Sequence, residues 1–280
     1  WMNKENALAK EYLAGIKETD LSPKLIDQLQ ITRLLTQLTD WQSSKQLDEV
    51  QLTKTLSWLE EKAKLDGKED IRKQNWGYSA FEYSNYSLIC RNILQNLVVK
   101  HYLNTQDTAM ASLAAVKADA FYNYGFVKDS LEDNMQWTTM HFWENTPKTL
   151  LKIRNLLSDN SQQNTLSKFL LKDIKHFNRD YLTELLGTTY LRELDFQKAA
   201  KTLAALPKDH KIKEIKNWYS TDEDDIKPNP FIVTINDYPK KYGKENTTKL
   251  KYAERMARLE NAIKTEKDNQ KKAEYYFQMA

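Results

Sequence analysis

The 280-residue chain balances 42 Lys and Arg against 39 Asp and Glu, a net charge of +3 without a one-signed stripe, which argues against a nucleic-acid partner. A mean hydropathy of −0.74 and the lack of any long apolar run exclude a transmembrane helix. Six Gly and six Pro among many helix-forming residues predict an all-α chain, and seven Trp, fifteen Tyr and nine Phe supply a core.

Spacings of three and four place Leu8, Tyr12, Leu13 and Ile16 on one side of a first helix, about Glu5 to Lys17. Ser22-Pro23 marks the next start: a hydroxyl to cap free N–H groups, then a residue whose missing N–H is not needed in the first turn. Leu25, Ile26, Leu29, Leu34, Leu35 and Leu38 form its stripe and Trp41 closes it. A third helix runs from Leu47 to about Lys64 through Val50, Leu56, Leu59 and Ala63, with Asp66-Gly67 as its stop. A long helix follows, about Asn75 to Leu103, with a stripe through Tyr86, Ile89, Ile93, Leu97 and His101. Its Cys90, the one cysteine of the chain, reads as a small buried hydrophobe rather than a reactive thiol.

An Ala-rich helix from about Thr108 to Ser130 comes next, and Thr146-Pro147 repeats the cap-then-proline signal before Leu150, Ile153 and Leu157. The stretch 158–161 is a turn. Helices over about Thr165–Phe177 and Asp180–Leu194 lead to a turn at Asp195-Phe196 and a partner helix, Gln197 to Leu206, stopped by Pro207. A short helix through Ile212, Ile215 and Trp218 follows. Residues 221–248 break the rhythm with Pro228, Pro230, Pro239 and the run Asp222-Glu223-Asp224-Asp225, and Phe231–Ile235 reads as extended chain. Helical pattern resumes at about Lys249, and a last helix begins near Gln270.

No constellation of catalytic or metal-ligating residues emerges. His141 and Glu144 lie three apart, but in the reverse of the Glu-x-x-His order and with no second copy. The acidic run lacks the alternating carboxylates and turn glycine of a calcium loop. Glu60-Glu61 and Glu193 with Asp195 sit in patterns that expose them, so neither pair gains the raised pKa of an acid catalyst. Phosphate-binding glycine loops and Gly-x-Ser-x-Gly are absent. We therefore expect a non-enzyme with no cofactor and no metal. Aromatics around Trp76–Tyr86 and Phe121–Phe126 occupy more than one helix side. They pack between helix layers or, as Trp76, Tyr78, Tyr83, Tyr122 and Tyr124, form an exposed binding platform.

One stretch carries an architectural signal. Gly187, Tyr190 and Ala199 have the small–aromatic–small spacing of a tetratricopeptide (TPR) helix–turn–helix unit. Leu186 fills the apolar position before the glycine, Asp195-Phe196 stands at the turn, Leu203 is the large apolar residue of the second helix, and Pro207 ends it. Thr183 stands where the pattern prefers Trp, and Leu194 replaces the turn glycine. At the repeat spacing no clean second copy is visible, so further units are expected to be degenerate ones upstream. Lys272–Ala280 looks like the first helix of another unit.

Together with Lys249–Glu260 and Ala273-Glu274-Tyr275-Tyr276, this unit resembles uncharacterised TPR-like proteins of Bacteroidetes over about residues 180–280. The resemblance implies helical repeats, export toward the cell envelope and no known activity. The expected fold is an irregular TPR-like array of helical hairpins of the α-solenoid type, with one loop-rich insertion. The expected division is 1–145, an N-terminal helical region; 146–220, a TPR-like region; 221–248, a Pro-rich and acidic insertion; and 249–280, the start of a further repeat. Both ends fall inside patterns, so a longer parent protein is expected, with any export signal outside this chain. The expected location is the periplasm or the outer membrane. The expected role is a scaffold for a protein or peptide. The alternatives are a glycan-binding envelope lipoprotein similar to helical starch-utilisation lipoproteins, and a helical enzyme whose site needs sequence beyond this chain.

Overall fold

The computed structural model describes residues 5–43, 46–71, 85–123, 142, 145–172, 179–207 and 249–279, without the side chains of 43, 66–71, 122 and 123. Among them every regular element is helical, so the protein is all-α, with helices packed against one another. They gather into two units: Trp1–Phe142 with Asp159–His176, and Trp143–Ser158 with Phe177–Ala280. The insertion at 221–248 and the short helix expected near Trp218 lie outside the described residues.

In the first unit, α1 (Asn6–Ala14) packs on α2 (Pro23–Ser43), and α3 (Glu49–Ile71) packs on α4 (Asn85–Ile93). Helix α4 runs on through a π segment (Leu94–Val99) into α5 (Lys100–Asn104), and α6 (Thr108–Asn123) packs along all three. Helix α8 (Thr165–Leu171) closes the unit against α3 and α6. Leu52, Leu56, Leu59 and Ala63 of α3 are fully buried, as their spacing on one helix face requires.

Several sequence expectations shift here. Leu8 and Tyr12 were expected on the inner side of α1, but only Leu13 of that set is buried, because Asn6 and Lys10 turn toward Thr36 and Asp40 of α2. Leu25 and Val50 are exposed as well. Asp66-Gly67 does not stop α3, which continues to Ile71; one interior glycine costs only about 1 kcal/mol, and an established helix runs through it. Along α4–α5 the buried face is Ser87, Cys90, Ile93, Leu94, Leu97, Val98 and Tyr102, displaced from the expected Tyr86, Ile89 and His101. Tyr86 instead sets its ring edge-on to Trp58, with centroids 5.8 Å apart.

In the second unit, α7 (Pro147–Ser158) packs on α9 (Arg179–Arg192), and the chain then runs back and forth through α10 (Phe196–Leu203), α11 (Lys249–Thr265) and α12 (Asn269–Met279), each on its predecessor. The Thr146-Pro147 signal holds: the Thr149 N–H donates to Thr146 Oγ1 at 3.3 Å. Helix α12 folds back on α11 across 266–268 as the second helix of a hairpin, where its sequence pattern suggests a first helix.

Candidate functional site

The α9–α10 hairpin is built as its residues suggest. A Cβ on Gly187 would lie 2.5 Å from Leu203 Cγ and Cδ2, so the two helices meet closer than any side chain at 187 allows. Leu186, Phe196, Ala199 and Leu203 are buried, Tyr190 is half-buried, and Pro207 is exposed just beyond the end of α10. Thr183, in the place of the usual Trp, is buried with its hydroxyl donating to the Arg179 carbonyl at 2.7 Å.

The turn explains Leu194. Its φ is +60°, the left-handed region where glycine is at ease. The Leu194 N–H donates to the Leu191 carbonyl at 3.0 Å and the Asp195 N–H to the Tyr190 carbonyl at 2.9 Å, which closes the end of α9. Asp195 then caps α10, accepting from the Lys198 N–H at 3.1 Å. The Lys198 ammonium returns to Asp195 at 2.6 Å, over the Tyr190 ring, and holds the Asp195 carboxyl below its usual range.

A second copy of this turn lies upstream, hidden from the repeat pattern. Gln106 also has φ +60°; its N–H donates to the Leu103 carbonyl at 3.1 Å, and the Asp107 N–H donates to the Tyr102 carbonyl at 2.8 Å. Asp107 caps α6 by accepting from the Met110 N–H at 3.2 Å. Tyr, Leu, Asp and Ala recur at matching places: Tyr102, Leu103, Asp107 and Ala111 against Tyr190, Leu191, Asp195 and Ala199.

Beyond α10 the packing continues. Phe196 meets Tyr252 edge-on at 6.3 Å and joins Met256, Ala257 and Leu259 of α11, against which Tyr275 and Met279 of α12 also pack. A nearly buried ion pair joins Lys249 of α11 to Glu184 of α9 at 2.7 Å.

The first unit holds a charged centre that sequence reasoning missed. Glu60, expected on a solvated face, is 1% exposed, and Lys117 is fully buried with its Nζ 3.6 Å from Glu60 Oε2. Lys64 reaches Glu60 Oε1 at 2.7 Å and Lys172 reaches it at 3.3 Å. Burial works to raise the Glu60 pKa, but Lys117 first, then Lys64 and Lys172, hold it below the ordinary value. The Lys117 ammonium also lies 4.9 Å from the Phe169 ring centre. Cys90 is buried beside this centre, and burial pushes its thiol well up, so it carries no nucleophile. The Lys64 spacing to Glu60 reads as a surface helix pair; the contribution of Lys117, from a distant helix, has no local signal.

Helices α2 and α3 flank a cleft of about 190 Å³ lined by Gln30, Arg33, Leu34, Gln37, Gln51, Lys54, Thr55 and Trp58. Glu18 engages both Gln30 and Arg33, at 2.7 and 2.6 Å. Outer faces of two other helices carry large apolar residues: Leu8 (61% exposed) and Tyr12 (75%) on α1, Tyr276 (57%) and Phe277 (85%) on α12.

Among the described residues no cluster of His, Cys, Asp and Glu could hold a metal, and no helix is long and apolar enough to cross a membrane. Trp76, Tyr78, Tyr83, Tyr124, His141 and Glu144 lie outside the described residues, as does the side chain of Tyr122. No family model matches the chain, and no match was found among curated proteins or solved structures.

Proposed function

We propose that this chain is a non-enzymatic helical-repeat scaffold, TPR-like in its second unit, that binds a protein or peptide partner at a bacterial cell envelope. One observation carries the reading: α9 to α12 pack in succession, and the last of them presents Tyr276 and Phe277 outward rather than a polar face. Stacked repeats need polar outer faces for solubility, so an apolar one is a contact surface. The test is a photo-crosslinking residue at the exposed Ala273 in cells of the source organism, followed by fractionation. A discrete envelope-fraction adduct, lost in Phe277→Asp, is the expected result; the absence of any adduct from 273 and 276 alike rejects the reading.

The α2–α3 cleft favours a second reading, a glycan site. The side chains of Gln37, Gln51 and Thr55 make no hydrogen bond within the chain, and the indole of Trp58 is half-exposed beside them. Amides and a hydroxyl next to an aromatic face suit a sugar ring. Calorimetric titration with a panel of neutral oligosaccharides tests it: binding that Trp58→Ala abolishes supports the site, and heats equal to dilution for every sugar remove it.

A further inference from the structure

The outer faces of α1 and α12 differ in charge as well as in place. On α1, Asn6, Lys10 and Leu13 turn toward α2. Leu8 and Tyr12 point away, and Glu5 and Glu11 flank them with no cation bound to either carboxylate. On α12, Tyr275 and Met279 pack on α11, while Ala273, Tyr276 and Phe277 point away. Lys271 and Lys272 accompany them with no carboxylate bound to either ammonium; Glu274 is the one acid on that helix. One apolar face is therefore acidic and the other carries a net positive charge.

We infer that the acidic α1 face of one copy docks on the basic α12 face of a second copy, so that the chain assembles head to tail. The inference rests on the scaffold reading and names its partner. Large aromatics supply the desolvated centre of such a contact, and the flanking charges set its polarity and disfavour α1–α1 pairing through repulsion of the glutamates. The contact uses two different patches, so it grows into a ring or an open filament rather than stopping at a symmetric dimer. Exposed charges are screened by salt, so assembly weakens as ionic strength rises.

Sedimentation of the 280-residue chain tests this. Wild type should show concentration-dependent oligomers that shrink in high salt. Tyr12→Lys blocks the α1 face and Phe277→Glu blocks the α12 face; each alone should be monomeric. Their equimolar mixture should form a heterodimer and nothing larger, because each variant keeps one intact patch. Both sites are solvent-exposed, so circular dichroism and melting should match wild type. A wild-type chain that stays monomeric up to its solubility limit overturns the inference, as does a mixture that stays monomeric or a single variant that still oligomerises. If the chain is monomeric yet the Ala273 crosslink to a different protein persists, the head-to-tail contact fails and the scaffold reading stands.

Discussion

The turns at Gln106 and Leu194 use the same main-chain bonds, the same left-handed residue and the same aspartate cap, yet the helices they join pack differently. Counting back from the tyrosine, Gly187 of the downstream hairpin corresponds to Val99 upstream, and Leu203 corresponds to Ala115. The small residue lies on the first helix in one hairpin and on the second helix in the other. The two units also bury charge to different depths. Glu60 and Lys117 are both shut away from water, whereas Glu184 and Lys249 keep about a tenth of their surface. Local turn chemistry is thus common to the two regions, while tertiary packing and burial of charge are particular to each.

The largest effect separating the regions is expected at the Glu60 centre. Lys117→Met should destabilise the first unit by about 3–5 kcal/mol, because it leaves a carboxylate buried beside apolar groups. The double variant Glu60→Leu/Lys117→Met should recover most of that loss, as read by urea unfolding. A neutral Lys117→Met would erase the contrast between the two ion pairs. The same centre sets an acid limit. The folded pKa of Glu60 lies below its ordinary value, so its contribution is complete above that value, near 4.5, and is lost as pH falls through the folded pKa. Glu60→Gln should flatten that part of the stability–pH curve.

Next in size is the close approach at Gly187. Gly187→Ala should cost about 1–3 kcal/mol through overpacking against Leu203. A double-mutant cycle with Leu203→Ala should show strong coupling; additivity would mean the helices part freely. Smaller effects test the shared turn. Asp107→Ala and Asp195→Ala should each cost about 1 kcal/mol by thermal melting. Leu194→Gly and Gln106→Gly should each stabilise by about 0.5–1 kcal/mol, since a left-handed L-residue is strained. Unequal gains would break the equivalence of the turns.

What the sequence made legible follows this division between local and distant causes. The cap before Pro147, the Asp195 cap and the tight Gly187 contact are written within a few residues of where they act, and they were readable. Glu60 was not, since the residue that makes its burial tolerable, Lys117, comes from another helix. The upstream hairpin also escaped notice, because the repeat pattern is defined by packing residues and the feature retained there is the turn. Leu8 and Tyr12 share a period with buried Leu13, and period alone does not say which side of a nine-residue helix faces its neighbour.

The π segment at Leu94–Val99 carries a consequence of its own. A wide turn spends one residue more than an α-turn over nearly the same rise, so it holds a rotational offset in the main chain. Removing a single residue there and letting the segment relax to α-helix would swing everything beyond it by about 100° about the axis. Tyr102 would leave Glu49, to whose carboxylate its hydroxyl donates, and Gln106 would no longer meet the start of α6 in phase. The angular setting of the upstream hairpin is therefore encoded by the length of the chain at that point, so a one-residue deletion there would be felt more sharply than any single substitution nearby.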